Sequence, residues 1–165
     1  MENQDSELSV EEVLRLYSDM VYRLAYARTK NKQDAEDITQ EVFLKYIRQN
    51  KKFKDNEHRK AWLLKVTINT SKSFLTSAWA RHYAHLEEAM EESCLMEEEK
   101  TEVFYAVQQL PEKYRIVIEL YYYEELSVKQ ISEILSKKES TVKSLLRRGR
   151  ERVKNILEEG EQYEF

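Results

Sequence analysis

Between Ser136 and Lys154 the chain gathers eight cations, Lys137, Lys138, Lys143, Arg147, Arg148, Arg150, Arg152 and Lys154, against Glu139 and Glu151 alone. Guanidinium and ammonium groups donate hydrogen bonds to phosphate oxygens and guanine edges, and a serine hydroxyl serves either partner. At about 100° per residue, Val142, Leu145, Leu146, Gly149, Val153 and Ile156 share one helix face. Lys143, Arg147, Arg150 and Lys154 form a stripe beside it, with Ser144 and Arg148 opposite. The solvated side of any amphipathic helix has the same pattern, so charge alone does not decide for nucleic acid. The remainder of the chain must balance this segment, because the net charge is −4.

Two further constellations point outward. In residues 34–48, Ala35, Ile38, Val42 and Tyr46 make an inward stripe, while Asp37, Gln40, Glu41 and Arg48 lie opposite with Leu44 among them. An apolar side chain ringed by charge is how a partner surface is built, although single exposed leucines are also ordinary. The stretch "FKDNEHRKAW" reads as a loop joining Lys54, Arg59 and Lys60 to amides and aromatic edges, a composition that holds an unstacked base. Phe53 and Trp62 flank it as core anchors. His82, His85 and Cys94 fit no zinc spacing and lack a fourth ligand. No cation beside Cys94 favours its thiolate. No catalytic constellation, metal or cofactor is implied. The tyrosines at 121–123 point to successive helix faces, so at least one is exposed and the others pack inward.

The elements that position these groups are helices. Two glycines and one proline in 165 residues, with 35% charged residues, leave little to punctuate strands and turns. That length suits one domain or two small ones, at roughly 150 residues per domain. No apolar run approaches the ~18 residues of a membrane span, and "MENQDSELS" has no signal-peptide core. A lone cysteine fits a reduced, cytoplasmic setting.

Ser9 and Glu12 form a capping box, stapled by Leu8 and Val13, and Val10, Val13, Leu14, Tyr17, Val21 and Leu24 continue at helical spacing. Asn31 caps a second helix to about Asn50, and a third begins near Ala61. Glu87, Glu88, Glu91, Glu92, Glu97, Glu98, Glu99 and Glu102 then follow, with Lys100 as the only cation. Such a block is a solvated linker or weak helix. It divides the chain into an all-α domain over 1–80, a linker over 81–103 and a second all-α domain over 104–165. There Pro111 takes the first position of a helix to about Tyr123. Ser127 and Gln130 box the next helix, whose Val128, Ile131 and Leu135 face inward. "SKK" separates it from the basic helix, which makes a helix-turn-helix.

Residues 110–153, "LPEKYRIVIELYYYEELSVKQISEILSKKESTVKSLLRRGRERV", resemble the promoter-binding domain of extracytoplasmic-function (ECF) sigma factors of the sigma-70 family. "DAEDITQEVFLKYI" and "AWLLKVTIN" resemble that family's other domain, in the expected order. The resemblance implies a non-enzymatic subunit that binds core RNA polymerase and directs it to particular promoters. It implies that Asp37, Gln40, Glu41 and Leu44 dock on the β′ clamp helices, while the second domain meets the β flap. Lys138, Ser140, Thr141, Lys143, Ser144, Arg147, Arg148 and Arg150 would read the upstream promoter element in the major groove. Lys54, Asn56, Glu57, His58, Arg59, Lys60, Asn69 and Lys72 would hold the melted downstream element. An anti-sigma factor, membrane-anchored or free, would keep the protein silent until a signal arrives, without membrane insertion by this chain. The alternatives are a stand-alone helix-turn-helix regulator, with its own dimer interface, and a helical adaptor that binds protein only. The chain departs from the family pattern at Ser136, where glycine is usual, and at Lys138, where a capping serine is usual. It departs again at Ser73 and Thr76, where many members carry Asp and Arg.

The acidic block generates the first prediction. Limited proteolysis of the isolated protein should cut between about His85 and Lys100 and release two folded halves, whereas resistance throughout that stretch would contradict the division.

Overall fold

Ser9 opens the first helix as its spacing predicts. Its Oγ accepts the Glu12 N–H at 3.2 Å and its own N–H donates to Glu12 Oε2 at 3.1 Å. The computed structural model describes residues 7–82 and 101–161. The acidic run as far as Lys100, with His85, Leu86, Met90, Cys94, Leu95 and Met96, lies outside them. The described helices belong to two compact units, Met1–Glu91 and Glu92–Phe165.

In the first unit, α1 (Val10–Thr29), α2 (Lys32–Arg48) and α3 (Asn56–His82) pack against one another in every pairing. Lys30 ends α1 in the left-handed region, φ 52°, its N–H donating to the Tyr26 carbonyl. Asn31 then caps α2, its Oδ1 accepting the Asp34 N–H at 2.9 Å. The core holds Val13, Val21 and Leu24 from α1, Ala35, Ile38 and Val42 from α2, and Leu63, Leu64 and Ile68 from α3. Val10 and Leu14, at helical spacing with the buried residues, stay exposed, so the first turns of α1 contribute only Val13. Thr67, Thr70 and Ser71 are buried with their hydroxyls bonded. Thr67 and Ser71 donate to carbonyls one turn back, and Lys45 Nζ reaches Thr70 Oγ1 at 3.0 Å.

The start of α3 corrects the sequence reading. The helix begins at Asn56 rather than near Ala61, because Asp55 caps it. Asp55 Oδ1 accepts the His58 N–H at 2.8 Å and its carbonyl accepts the Arg59 N–H at 3.2 Å. A capping aspartate among lysines reads as loop in the sequence, but its side chain satisfies amides that the helix cannot.

The second unit contains α4 (Glu102–Gln108), α5 (Glu112–Ile118), α6 (Val128–Leu135) and α7 (Glu139–Glu161). Helix α4 falls where the sequence shows only the end of the acidic linker. Thr101 caps it through the Phe104 N–H, and Phe104, Ala106 and Val107 anchor it in the core. Pro111 is the cap of α5 rather than its first residue, its carbonyl accepting from Tyr114 and Arg115. Arg115, 5% exposed, donates to the Leu110 carbonyl at 3.2 Å and so joins the α4–α5 turn to the core. Burial lowers its pKa from the usual guanidinium value, and Glu119 opposes that shift. One π-helical turn, Glu119–Tyr123, extends α5 and leaves Tyr122 as the exposed ring of the three tyrosines.

The boxed start of α6 forms as expected, and Ile131 and Ile134 are its buried residues. Val128 and Leu135 are only half-buried, because the helix is two turns long and Ile134 takes the inner position. Ser136 ends α6 with φ 53°, and the Ser136 and Lys137 N–H groups both donate to the Ser132 carbonyl. That geometry is a left-handed helix stop, which glycine adopts without the Cβ clash a serine carries. Ser136→Gly should therefore raise stability by about 0.5–1 kcal/mol, after allowing for the added freedom of the unfolded chain. Urea denaturation followed by circular dichroism should show a higher midpoint at unchanged slope; an unchanged or lower midpoint would remove the strain argument.

Candidate functional site

Helix α7 packs on α4, α5 and α6 through Val142, Leu145, Leu146 and Gly149, with Val153 and Ile156 half-buried. Lys138, Ser140, Thr141, Lys143, Arg147 and Arg148 are exposed, and Ser144 is half-buried at the same end. Lys138, Ser140 and Thr141 thus stand exposed around the first turn, with Lys143, Arg147 and Arg148 exposed further along the helix.

The cationic stripe is not uniform, and Arg150, exposed and expected among the upstream readers, has an internal partner. Its guanidinium donates to Tyr122 Oη at 3.0 Å. With Lys154, which pairs with Glu158 at 3.8 Å, Arg150 lines a groove of about 580 Å³ between α4, the end of α5 and the last turns of α7. Val107, Ile118, Tyr122, Val153 and Leu157 supply its apolar wall. One half of the stripe thus faces outward beside the helix-turn-helix, and the other half edges an apolar groove. On the opposite flank Arg152 stands over the Tyr114 ring at 4.7 Å.

In the first unit, the earlier start of α3 sorts the downstream set by helix face. Arg59 is 7% exposed, its Nε donating to Tyr46 Oη at 3.2 Å and its Nη1 to Asn56 Oδ1. The guanidinium also lies 5.3 Å from the Phe53 ring centroid. Arg59 therefore holds the helix start together, with Asn56 bonded to it, and is buried where the loop reading expects an exposed cation. Phe53 and Trp62 belong to the same aromatic cluster with Tyr46, as anchors. His58, Asn69 and Lys72 are exposed and fall within about 60° of one another on α3. Lys54 and Glu57 are exposed beside that face, and Lys60 is half-buried. Lys65, exposed midway between His58 and Lys72 at seven-residue spacing, belongs to the face and was missed. Its signal lay in helical phase, which appears only once the helix is known to begin before His58.

On α2 the inward stripe is as expected, with Phe43 added. Leu44 is 42% exposed and Ile47, one turn on, is 53% exposed. Gln40 and Arg48 are exposed around them, and Asp37 and Glu41 are half-buried. Ile47 makes the lone apolar residue into a pair. Among the described residues no cluster of His, Cys, Asp or Glu could hold a metal ion, and no helix is long and apolar enough to cross a membrane.

Residues 13–81 match the family described as Sigma-70 region 2, and residues 101–153 that described as Sigma-70, region 4. The ECF RNA polymerase sigma factor SigW of Bacillus subtilis (strain 168) is 31% identical, over 88% of this chain and 87% of that protein. SigM of the same organism, also an ECF RNA polymerase sigma factor, is 30% identical over 93% and 98%. Among solved structures, the sigma factor RpoE of Bartonella quintana, in complex with the anti-sigma factor NepR, has the same fold. Its TM-score is 0.68 at 20% identity, covering 90% of this chain and 96% of that one.

The division of the α7 stripe predicts unequal substitutions. In a promoter-binding assay with core RNA polymerase, Arg147→Ala should cost ~1–3 kcal/mol concentrated at one upstream position if it reads a base. If it touches phosphate, affinity should fall evenly and the salt slope should shrink by about one. Arg150→Ala should change neither upstream base preference nor salt slope. An Arg150→Ala loss equal to that of Arg147→Ala would contradict the division.

Proposed function

Because the chain belongs to the sigma-70 family of RNA polymerase sigma factors, in its extracytoplasmic-function class, we propose that separate helix faces divide the work of initiation. The protein is an initiation factor and not an enzyme; it binds core RNA polymerase and promoter DNA. Leu44 and Ile47, ringed by Asp37, Gln40 and Glu41, dock on the β′ clamp helices. The outer face of α7 enters the major groove of the upstream element, with Lys143, Ser144, Arg147 and Arg148 toward the bases and Lys138, Ser140 and Thr141 toward phosphate. The α3 face of His58, Lys65, Asn69 and Lys72, with Lys54, Glu57 and Lys60 beside it, follows the melted downstream strand. The apolar groove of the second unit seats the β flap, which contributes an apolar segment there.

The observation that carries this reading is the coincidence of the two family matches with the two compact units, one on either side of the acidic run. A stand-alone helix-turn-helix regulator has no use for the first unit or for an uncovered Leu44–Ile47 pair. An anti-sigma factor, membrane-anchored or free, holds the protein silent until a signal releases it. The RpoE structure, solved with its anti-sigma factor, supports such control. The site of action is the cytoplasm, where core polymerase and promoters are.

The polymerase contact is separable from folding. Leu44→Glu should change thermal stability by no more than ~0.5 kcal/mol, as exposed substitutions do. The same carboxylate, unpaired in a desolvated interface beside Asp37 and Glu41, should weaken core binding by several kcal/mol. Ile47→Glu should behave alike. Pull-down of core polymerase and melting curves measure the two effects. An unfolded variant would place Leu44 in the core, and a folded variant with normal binding would place the interface elsewhere.

A further inference from the structure

Tyr114, near the start of α5, is 4% exposed and packs beside Gly149 of α7. Two exposed cations share its ring. Lys113 Nζ lies 5.0 Å from the ring centroid, and Arg152 Cζ lies 4.7 Å from it. A third exposed cation, Arg148, stands one helical turn before Arg152. Burial raises the pKa of the Tyr114 phenol, but Lys113, Arg152 and Arg148 outweigh it, and the net shift is downward. The field of all three cations thus reaches one phenol.

This cluster is continuous with the exposed face beside the helix-turn-helix. Thr141, Arg148 and Arg152 lie within about 40° of one another, in one row along α7. The row spans about 16 Å, and Lys113 joins its far end from α5. Like charges held within a Debye length of one another repel, and an anion between them removes that repulsion. The buried ring already fixes where both cations stand, so less side-chain freedom is lost when an anion arrives. In a helix-turn-helix the start of the second helix meets base edges. Cations at the far end of the row meet the backbone instead.

We propose that Lys113 and Arg152, mounted on Tyr114, clamp one backbone phosphate of the duplex DNA that flanks the upstream element. The inference rests on reading the outer face of α7 as the upstream DNA face. The guanidinium forks two N–H groups toward a phosphate, and the ammonium adds a point charge. Such a clamp makes α5 part of the DNA surface and carries no base information. It fixes how far the backbone travels along α7, and hence the register at which Lys143, Ser144 and Arg147 meet the bases.

The test measures promoter binding by the full chain with core RNA polymerase across a salt series. The duplexes carry single neutral methylphosphonate linkages, placed one at a time through the upstream region. For the native protein, one linkage outside the base-read positions should weaken binding about three- to tenfold. The double variant Lys113→Gln/Arg152→Gln should lose a similar factor on the unmodified duplex, evenly across upstream sequences, with the salt slope lowered by about one. It should lose nothing more at that linkage. Arg152→Lys keeps the charge and should keep the native slope. If the double variant shows the native slope and linkage profile while Arg147→Ala weakens binding, the proposal falls and the upstream reading stands. If neither alters binding, the upstream reading falls and takes the proposal with it. Native promoter binding with weakened pull-down of core polymerase would assign the two cations to an acidic protein surface and overturn the proposal. Should the double variant fail to fold, an unchanged slope in Lys113→Gln overturns it by itself.

Discussion

Helix α7 lies so close to α5 that a Cβ at residue 149 would stand 2.8 Å from Ile118 Cδ1 and 3.5 Å from Tyr114 Cβ. A side chain there would push aside the tip of Ile118, so glycine suits the approach, and together with Val142, Leu145 and Leu146 it forms the buried face that fixes the rotation of the helix. With Gly149 inward, Val142, Leu145 and Leu146 must be inward too, because helical residues seven, four and three apart share a side. Lys143, Arg147 and Arg148 are then forced out beside the helix-turn-helix. Arg150 and Lys154 are carried over the apolar groove, and Arg152 is carried over Tyr114. That rotation divides a continuous run of cations among an exposed face beside the helix-turn-helix, a groove rim and a packing contact. The left-handed stop at Ser136 sets where that helix begins.

The first unit solves a related problem with polar chemistry. Helices α2 and α3 each give one side to the shared core and expose another. Where they meet, Tyr46, Phe53, Arg59 and Asn56 form a cluster in which the guanidinium has a hydroxyl, an amide and a ring face. A buried charge with such partners orients what it touches, because breaking one contact leaves another group unpaired. The cluster holds the start of α3 and, through Phe53, the ring of His58. Buried anchoring residues and exposed polar ones are therefore adjacent in sequence and opposite in direction.

Much of this was legible in the amino-acid sequence. The capping boxes at Ser9 and Ser127, the cap at Asn31 and the inward stripe of α2 are local chemistry, and they form as read. So is the apolar face of α7, because sequence periodicity and helix geometry are the same statement. What the sequence concealed was settled by tertiary contact. Arg59 reads as a loop cation until Tyr46 and Asn56 are brought to it. Arg150 reads as one of a stripe until Tyr122, 28 residues away, claims its guanidinium. Helix α4 is too short and too acidic at its start to announce itself, and its existence depends on Phe104 and Val107 finding the core. Lys65 and Ile47 were hidden differently: each is unremarkable alone and gains meaning from the phase of its neighbours.

The net charge of −4 fits the proposal that the DNA contacts act only when polymerase positions them. An acidic chain opposes non-specific attraction to phosphate, whose strength grows with the cations presented. Run-off transcription with core RNA polymerase, with and without this chain, and mapping of the start sites tests that account most directly. Initiation at discrete start sites, dependent on the chain and sharing one pair of upstream and downstream elements, is the predicted result. Promoter binding by the chain alone, unchanged by core enzyme and accompanied by no new start sites, would contradict it.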